Sequence, residues 1–207
     1  MVAPTIENVV KVLVACEFSG TVSQAFRDRG HSAISCDLLP NSLTGNQYHY
    51  QGDVRDILYN PDWDLIIAHP PCTALCVAGN RHYAGTDARQ EAIDFFRLFL
   101  EAPCPLVCVE NPVGIISTAI RPPDQYIQPY EFGHSVSKKT GLWLKGLPLL
   151  KPTNIVEREE FVEFSSGKRM GKWYYETSLL PPKERGYARS ITFQGIADAM
   201  ADQWQID

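Results

Sequence analysis

No stretch of this sequence stays apolar over the roughly 18 residues that a membrane-spanning helix needs, and no internal repeat or low-complexity tract is evident. The N-terminal residues also lack the charged and apolar regions of a secretory signal peptide. We therefore expect a cytoplasmic protein with no membrane partner. Apolar residues form 44% and charged residues 21% of the 207-residue chain, which are ordinary proportions for one globular domain with a sizeable core.

Zinc-ribbon spacing is also missing from the six cysteines, which stand at positions 16, 36, 72, 76, 104 and 108. Cys72 and Cys76 are separated by three residues, as are Cys104 and Cys108, and neither pair has the spacing of a structural zinc site. Most of these cysteines lie in apolar, strand-like sequence. In a reducing compartment we expect free thiols rather than disulfides, and no metal site.

The formal net charge of −5 is unevenly distributed along the chain. Residues 1–133 carry eight Lys and Arg against 15 Asp and Glu, whereas residues 134–190 carry 11 against six. Residues 191–207 carry three acidic residues and no basic ones. An acidic body with a basic segment is typical of a protein that meets an anionic partner from one side, and a solvated surface is the alternative interpretation.

Strand-like and helix-like stretches alternate through the first half of the chain. The sequence predicts strands over 11–16, 33–37, 65–68 and 106–110, a strand end or tight loop over 52–57, and helices over 21–29 and 87–102. Asp87 is the expected cap of the second helix. After Pro112 we expect short antiparallel strands near 141–144 and 161–164, and a helix over 196–204. This alternation favours an α/β fold with a doubly wound parallel sheet.

Two predicted strands end in residues that can do chemistry. The apolar run 65–68 continues into His69, Pro70, Pro71 and Cys72, and the run 106–109 continues into Glu110 and Asn111. Open α/β sheets place their ligands at the carboxyl ends of the strands, so a thiol and a carboxyl group there indicate one active site. His69 is either a satisfied core imidazole or an anchor for the loop.

The first three strands end in residues that suit a nucleotide-like cofactor. Phe18, Ser19 and Gly20 follow the first strand, where small residues allow the backbone to approach a ligand at the start of a helix. Asp37 ends the second strand and is placed to accept hydrogen bonds from ribose hydroxyls. Asp53, after Gly52, is placed to accept one from an adenine amino group.

The order of these motifs resembles that of the DNA cytosine-C5 methyltransferases, over roughly residues 11–115. That family has a Phe-x-Gly loop, acidic ribose and adenine ligands, a Pro-Cys nucleophile loop and a Glu-Asn-Val triplet. The resemblance implies a Rossmann-like sheet and S-adenosylmethionine as cofactor. Its binding residues would be Phe18, Ser19, Gly20, Asp37, Asp53 and Pro70. Cys72 would be the nucleophile, with Glu110 and Asn111 as the other catalytic residues.

This chemistry suits the residues, because carbon 5 of cytosine becomes nucleophilic only after a thiolate adds to carbon 6. Glu110 would hold the ring N3 and the exocyclic amine, and burial is expected to raise its pKa. The resemblance divides the chain into a catalytic core over 1–133, a small basic segment facing the substrate over 134–190, and a helix over 191–207 that packs back on the core.

The chain departs from the family pattern at several points. Thr73 follows Cys72, where the family usually has Gln. Pro112 replaces the Val of the triplet, and no clear copy of the Gln-x-Arg-x-Arg segment is present. Only about fifty residues are available for a large lobe that reads DNA sequence. Candidate substrate-binding cations are Lys138, Lys139, Lys168, Arg169 and Lys172.

We therefore expect DNA containing cytosine as the substrate, read over a very short sequence or with a separate specificity partner. Small forms of this kind are typical of bacteriophages and prophages. A free nucleotide or RNA as substrate, and an inactive methyltransferase fold that binds partners, remain the alternatives.

Overall fold

A computed structural model describes residues 9–41 and 46–205 of the chain. The strands are β1 Lys11–Ala15, β2 Ser32–Asp37, β3 His49–Gln51, β4 Leu65–Ala68, β5 Leu106–Pro112, β6 Gln125–Ile127, β7 Thr140–Lys145, β8 Phe161–Glu163 and β9 Arg169–Gly171. The helices are α1 Thr21–Asp28, α2 Asn80–Tyr83, α3 Asp87–Leu100, α4 Ile116–Ala119, α5 Lys172–Ser178, α6 Pro182–Ser190 and α7 Gln194–Gln203. Short 3₁₀ turns occupy Asn46–Tyr48, Val54–Asp56, Val77–Gly79 and Pro129–Glu131.

Seven strands form one sheet in the order β3-β2-β1-β4-β5-β7-β6. The first five are parallel to one another, whereas β7 runs antiparallel to both β5 and β6. The chain order reverses between β1 and β4, which makes their carboxyl ends the topological switch point where such sheets bind ligands. This topology confirms the predicted doubly wound, Rossmann-like sheet.

The core consists of two layers, one on each face of this sheet. On one face, α1 and α7 pack over the side chains of β1 and β4 that include Val12 and Ile67. On the other face, α3 packs Phe96 and Phe99 against Ile66 and its neighbours. Every residue of β4 is buried, because both faces of the strand are covered, and this accounts for its unbroken apolar sequence.

The predicted strands and helices of the parallel half agree with the structure to within two residues at nearly every end. The cap of α3 differs from the prediction: Thr86, not Asp87, accepts the hydrogen bond from the Arg89 N–H. Asp87 is the first helical residue, where its negative charge still faces the positive end of the helix.

The second half of the chain contains more structure than its prolines suggest. β7 lies inside the main sheet, so residues 134–190 contribute a strand to it as well as an outer lobe. In that lobe β8 and β9 form a hairpin, followed by α5 and α6. Pro182 is the first residue of α6, a position at which proline starts a helix rather than breaking one.

Candidate active site

Three residues lie in one row at the carboxyl edge of the sheet: Cys16 after β1, His69 after β4 and Glu110 within β5. Ala15 pairs with Ala68, and Ala68 pairs with Val109. The next residue along each strand is Cys16, His69 and Glu110 respectively. The His69 N–H donates to the Ala15 carbonyl at 2.9 Å, which continues the parallel ladder by one residue. The sheet register therefore places His69 beside Glu110.

The Cys72 loop leaves β4 and is held by a second loop that follows β5. The Cys72 carbonyl accepts hydrogen bonds from the N–H groups of Leu75 and Cys76, at 2.9 and 2.8 Å, which closes a tight turn. The Ile115 N–H then donates to the Leu75 carbonyl at 2.9 Å. The backbones of Cys76 and Gly114 pair as an isolated antiparallel β-bridge. The cysteine loop is thus fixed from both of its ends.

Asn111 braces the same loop from β5. Its side chain is buried, and its Nδ2 donates to the Pro70 carbonyl at 2.9 Å. Two prolines in a row offer no N–H of their own, so the carbonyl of Pro70 is the group by which this turn can be held. The structure thus gives Asn111 and Pro70 a positioning contact with each other, next to the cysteine.

Cys72 and Cys76 are hydrogen bonded to each other and have opposite pKa shifts. The bond to Cys76, burial and the nearby Glu110 all raise the pKa of Cys72. The same bond lowers the pKa of Cys76 to about 6, and the N–H groups of Gly79 and Ala78 act in the same direction. Cys76 therefore gives up its proton more readily than Cys72.

Glu110 is largely buried at the end of β5, with 19% of its side chain exposed. Burial raises its pKa, but the hydrogen bond from His69, the charge of Lys138 and a hydrogen bond from Thr140 outweigh burial, so its pKa lies below the ordinary value. The expectation that burial raises the pKa of this carboxyl group is therefore wrong, because burial brings three groups that favour the carboxylate.

A cavity of about 160 Å³ lies at the carboxyl ends of the first three strands. Its lining includes both predicted carboxylates, Asp37 and Asp53, with the apolar side chains of Leu38, Val54, Pro71 and Phe95. Burial raises the pKa of Asp37, although the Leu39 N–H, which donates to its carboxylate at 2.9 Å, acts in the opposite direction. An apolar slot flanked by carboxylates fits an adenosine group.

Asp53 is less free to bind a ligand than the sequence suggests. It caps the turn Val54–Asp56 by accepting from the Arg55 N–H at 2.9 Å. Its other oxygen is 2.8 Å from Arg55 Nη1, and the guanidinium lies 5.0 Å from the Phe95 ring centroid. Arg55 therefore closes one side of the slot.

Phe18 and Ser19 line a different, smaller cavity, together with Cys16, Glu17, His69, Ser190 and Thr192. The buried Glu17 carboxylate accepts the N–H groups of Val22 and Ser23, at 2.6 and 3.2 Å, at the first turn of α1. Gly20 precedes that turn with φ of 72°, a conformation that favours glycine. The Glu17 carboxylate thus occupies the N-terminus of α1, which is where the sequence predicts a bound ligand.

The five predicted substrate-binding cations lie in different places. Lys138 lines a small cavity with Glu110 and Thr140, and its Nζ donates to the Arg189 carbonyl at 2.8 Å. Lys139 lies over the Tyr126 ring at 4.2 Å. The other three are exposed on the outer lobe: Lys168, Arg169 and Lys172. Lys138 is thus the member of these five predicted cations that lies beside Glu110 in the structure.

Sequence reasoning missed three residues of this site: Cys76 as the thiolate, Thr140 beside Glu110, and Tyr174. Tyr174 lies on α5, and its pKa is raised by burial and by the nearby Cys72, Cys76 and Glu110. Arg189 of α6 stacks on the Tyr174 ring at 4.6 Å. The sequence signal for Tyr174 was the mixture of cations and aromatic residues around position 173. This pattern did not indicate which aromatic ring lies near Cys72 and Glu110.

Within residues 9–41 and 46–205 no three His, Cys, Asp or Glu side chains are grouped so that they could hold a metal ion. All six cysteines are free thiols. Of the helices in these two ranges, none is long and apolar enough to cross a membrane.

No protein-family model matches this chain, and no curated protein matches its sequence. Among solved structures it is similar to the Dnmt2 methyltransferase of S. pombe, with 13% identity, a TM-score of 0.46, and coverage of 68% of this chain and 51% of that one. It is also similar to the methyltransferase EhMeth of Entamoeba histolytica, with 12% identity, a TM-score of 0.48, and coverage of 75% and 59%.

The chain thus spans between half and three fifths of these two proteins. Because the sequence identities and TM-scores of these two matches are low, the fold is assigned from the order and direction of the strands. An antiparallel β7 between β5 and β6, beside five parallel strands, is the Rossmann-like sheet of S-adenosylmethionine-dependent methyltransferases.

Proposed function

We propose that this chain transfers a methyl group from S-adenosylmethionine to carbon 5 of cytosine in DNA, with Cys72 as the nucleophile. One observation carries the proposal: the Cys72 loop follows β4 and Glu110 lies on the adjacent parallel strand β5, beside the switch point between β1 and β4. A thiol and a carboxyl group side by side are what attack on the ring of a cytosine requires.

Cys76 supplies the base that this attack needs. As Cys72 Sγ forms a bond to carbon 6, its proton passes along the existing hydrogen bond to the Cys76 thiolate. The Glu110 carboxylate accepts a hydrogen bond from the exocyclic amine, and a proton taken up from water is shared between Glu110 and N3, where it neutralises the charge that the addition places on the ring. Carbon 5 then takes the methyl group and N3 returns its proton to Glu110. Water accepts the proton that carbon 5 loses as the bond between sulfur and carbon 6 breaks, and Cys72 leaves as a thiolate that regains its proton from Cys76.

The slot at β1 to β3 is where the cofactor would bind. Asp37 would accept hydrogen bonds from the ribose hydroxyls, and Leu38 and Phe95, which line the slot, would contact the adenine. When bound there, S-adenosylmethionine supplies an electrophilic methyl group. Pro71 lines the same slot and immediately precedes Cys72 in the chain, so the cofactor and the nucleophile meet at one turn.

The outer lobe is the proposed contact with nucleic acid. The hairpin of β8 and β9 exposes Lys168 and Arg169, and Lys172 follows at the start of α5. Cations on a protruding hairpin suit phosphate contacts, which carry affinity and little sequence information. A cytosine in a duplex would have to be flipped out to reach Cys72. This arrangement supports DNA read over a short sequence, or with a separate specificity partner.

The test is nucleoside mass spectrometry of DNA from cells that express the chain, beside three variants. We expect 5-methylcytosine with the unchanged chain, none with Cys72→Ala, and about a 100-fold lower rate with Cys76→Ala, because the loss of a general base costs at least that much. Cys104→Ala, a cysteine outside the site, is the matched control.

Each other outcome has a defined meaning. A signal lost in Cys76→Ala but kept in Cys72→Ala makes Cys76 the nucleophile. No signal in DNA, together with calorimetric binding of S-adenosylmethionine, turns the proposal towards RNA or a free nucleotide. A chain that binds no S-adenosylmethionine is a binding module rather than an enzyme.

A further inference from the structure

The row at the carboxyl edge of the sheet contains two residues to which the proposed mechanism gives no role, Cys16 and His69, and His69 is the one that contacts Glu110. Its Nδ1 lies 3.2 Å from Glu110 Oε2, and 8% of its side chain is exposed. The backbone fixes the ring, because the His69 N–H donates to Ala15 and two prolines follow. A rigid histidine beside a carboxyl group is a built contact, not a chance approach of two surface chains.

The ring has a second polar atom that no described residue satisfies. Within residues 9–41 and 46–205 the buried His69 Nε2 has no hydrogen-bond partner. Burying an unpaired ring nitrogen costs free energy, so packing alone would favour an apolar residue at this position. The contact of Nδ1 with Glu110 is thus the polar contact that offsets the burial of this ring.

The hydrogen bond assigns the tautomer of the ring. A carboxylate only accepts, so Nδ1 carries the hydrogen and donates it to Glu110 Oε2, and a neutral ring then has its lone pair on Nε2. The charged or titratable groups nearest this pair are Lys138 and Cys72 on the side of Glu110, and Cys16 and Glu17 on the side of His69.

We propose that His69 is a positioning residue for Glu110: it fixes one carboxylate oxygen, leaves the carboxyl group directed at the ligand, and stabilises the carboxylate that remains when a proton has moved to the ring N3. This inference rests on the proposed function and deepens it. Glu110, a carboxylate in the free protein, passes to N3 a proton that it takes up from water, while Nδ1 keeps its own hydrogen throughout.

Two variants separate the hydrogen bond from the shape of the ring. His69→Ala removes the donor, whereas His69→Asn keeps an N–H close to the position of Nδ1. We expect His69→Ala to lower kcat about 10- to 100-fold, which is the effect of one hydrogen bond to a charged group, with KM for both substrates little changed. His69→Asn should recover most of the loss. His82→Asn, an exposed histidine of α2, is the matched control.

A second measurement does not depend on turnover. ¹³C NMR of glutamate-labelled protein follows the titration of the Glu110 carboxyl, which Glu110→Gln assigns. We expect the Glu110 pKa to be higher in His69→Ala than in the unchanged chain, and close to the unchanged value in His69→Asn. Thermal melting of each variant confirms that it is folded before either comparison.

The outcomes distinguish this inference from the proposed function. An unchanged kcat in folded His69→Ala, or a Glu110 titration that is the same in all the histidine variants, overturns the role of His69. If the unchanged chain methylates nothing, the proposed function fails, and the NMR comparison still decides whether His69 controls Glu110.

Discussion

Two cysteines four positions apart in the sequence differ sharply in their chemistry. Cys72 donates a hydrogen bond and holds its proton, whereas Cys76 accepts that bond together with backbone N–H groups and loses its proton readily. The Pro-Pro-Cys motif identifies Cys72 correctly as the residue at the strand end, but nothing in the motif indicates that a second thiol four residues later is its partner.

Alkylation by iodoacetamide tests this difference at the residue scale. Because the pKa of Cys76 is lowered to about 6, it is mostly thiolate at neutral pH and should be labelled first, with a rate that rises through about pH 6 rather than through the usual value near 8.5. Peptide mass spectrometry at a series of pH values measures both sites.

Cys72→Ala provides the control for that experiment. It removes the donated hydrogen bond, so the pKa of Cys76 should rise and its labelling should move to higher pH. Faster labelling of Cys72 than of Cys76 at neutral pH would show that the thiolate is on the other sulfur.

At the scale of elements, the cysteine loop is packed so closely that some of its neighbours must be glycine. A Cβ at Gly79 would lie 2.2 Å from the Thr73 carbonyl oxygen, and one at Gly114 would lie 2.1 Å from that of Leu75. These contacts involve backbone atoms, which cannot turn aside as a side chain can. The loop between β4 and α2 is thus a rigid support for Cys72 and Cys76.

Gly79→Ala should therefore destabilise the chain by about 1–3 kcal/mol, the usual cost of overpacking, and lower turnover by displacing Cys72. Denaturant unfolding and the methylation assay measure the two effects.

Gly186→Ala is the matched control, because Gly186 lies inside α6 and a Cβ there meets nothing within 4 Å. It should stabilise the helix by about 0.5–1 kcal/mol. Equal effects of the two substitutions would mean that the cysteine loop is not held by this packing.

At the scale of the whole molecule, α7 brings the end of the described chain back onto α1. Arg29, just after α1, donates to the Ala25 carbonyl and to Asp202, each at 2.9 Å, and lies 3.3 Å from Asp198. Ala197 and Met200 of α7 are buried in the same layer as Val22 of α1. This closure orders the segment that carries Thr192 and Phe193 beside the Glu110 cavity.

Arg29→Ala should reduce stability by about 0.5–1 kcal/mol at neutral pH, since the acidic partners are half exposed. The hydrogen bond from Arg29 lowers the pKa of Asp202, so this contribution is present above the unfolded carboxyl pKa of about 3.9 and is lost as the pH falls below it. Urea unfolding should show a difference in the free energy of unfolding between the unchanged chain and Arg29→Ala, and this difference should disappear in acid.

Arg97→Ala is the control for that comparison, because Arg97 pairs with Asp94 within a single helix. It should change stability by less than Arg29→Ala does. If the difference in the free energy of unfolding between the unchanged chain and Arg29→Ala stayed constant in acid, the assigned ion pair would be contradicted.

The sequence by itself determined the parallel half of the fold. Strands buried on both faces need continuous apolar runs, so β1, β4 and β5 are visible without a structure, and α3 is visible from its helical spacing. The same reasoning found Cys72, Glu110, Asp37 and Asp53, because ligands gather at the carboxyl ends of such strands. The short elements β6, β9, α2 and α4 were missed, since three or four residues carry too little periodicity to identify them. The longer helices α5 and α6 were missed as well, because the prolines at 181 and 182 favour an interruption there.

Only the tertiary structure decided which of these residues touch. The register of β4 and β5 set His69 beside Glu110, and the return of β7 between β5 and β6 brought Thr140 there as well. The folding of the loop after β4 brought Cys72 and Cys76 together, which raises the pKa of the first thiol and lowers that of the second. Ionisation depends on distances between groups far apart in the chain or turned towards each other within a loop, and a sequence pattern contains neither.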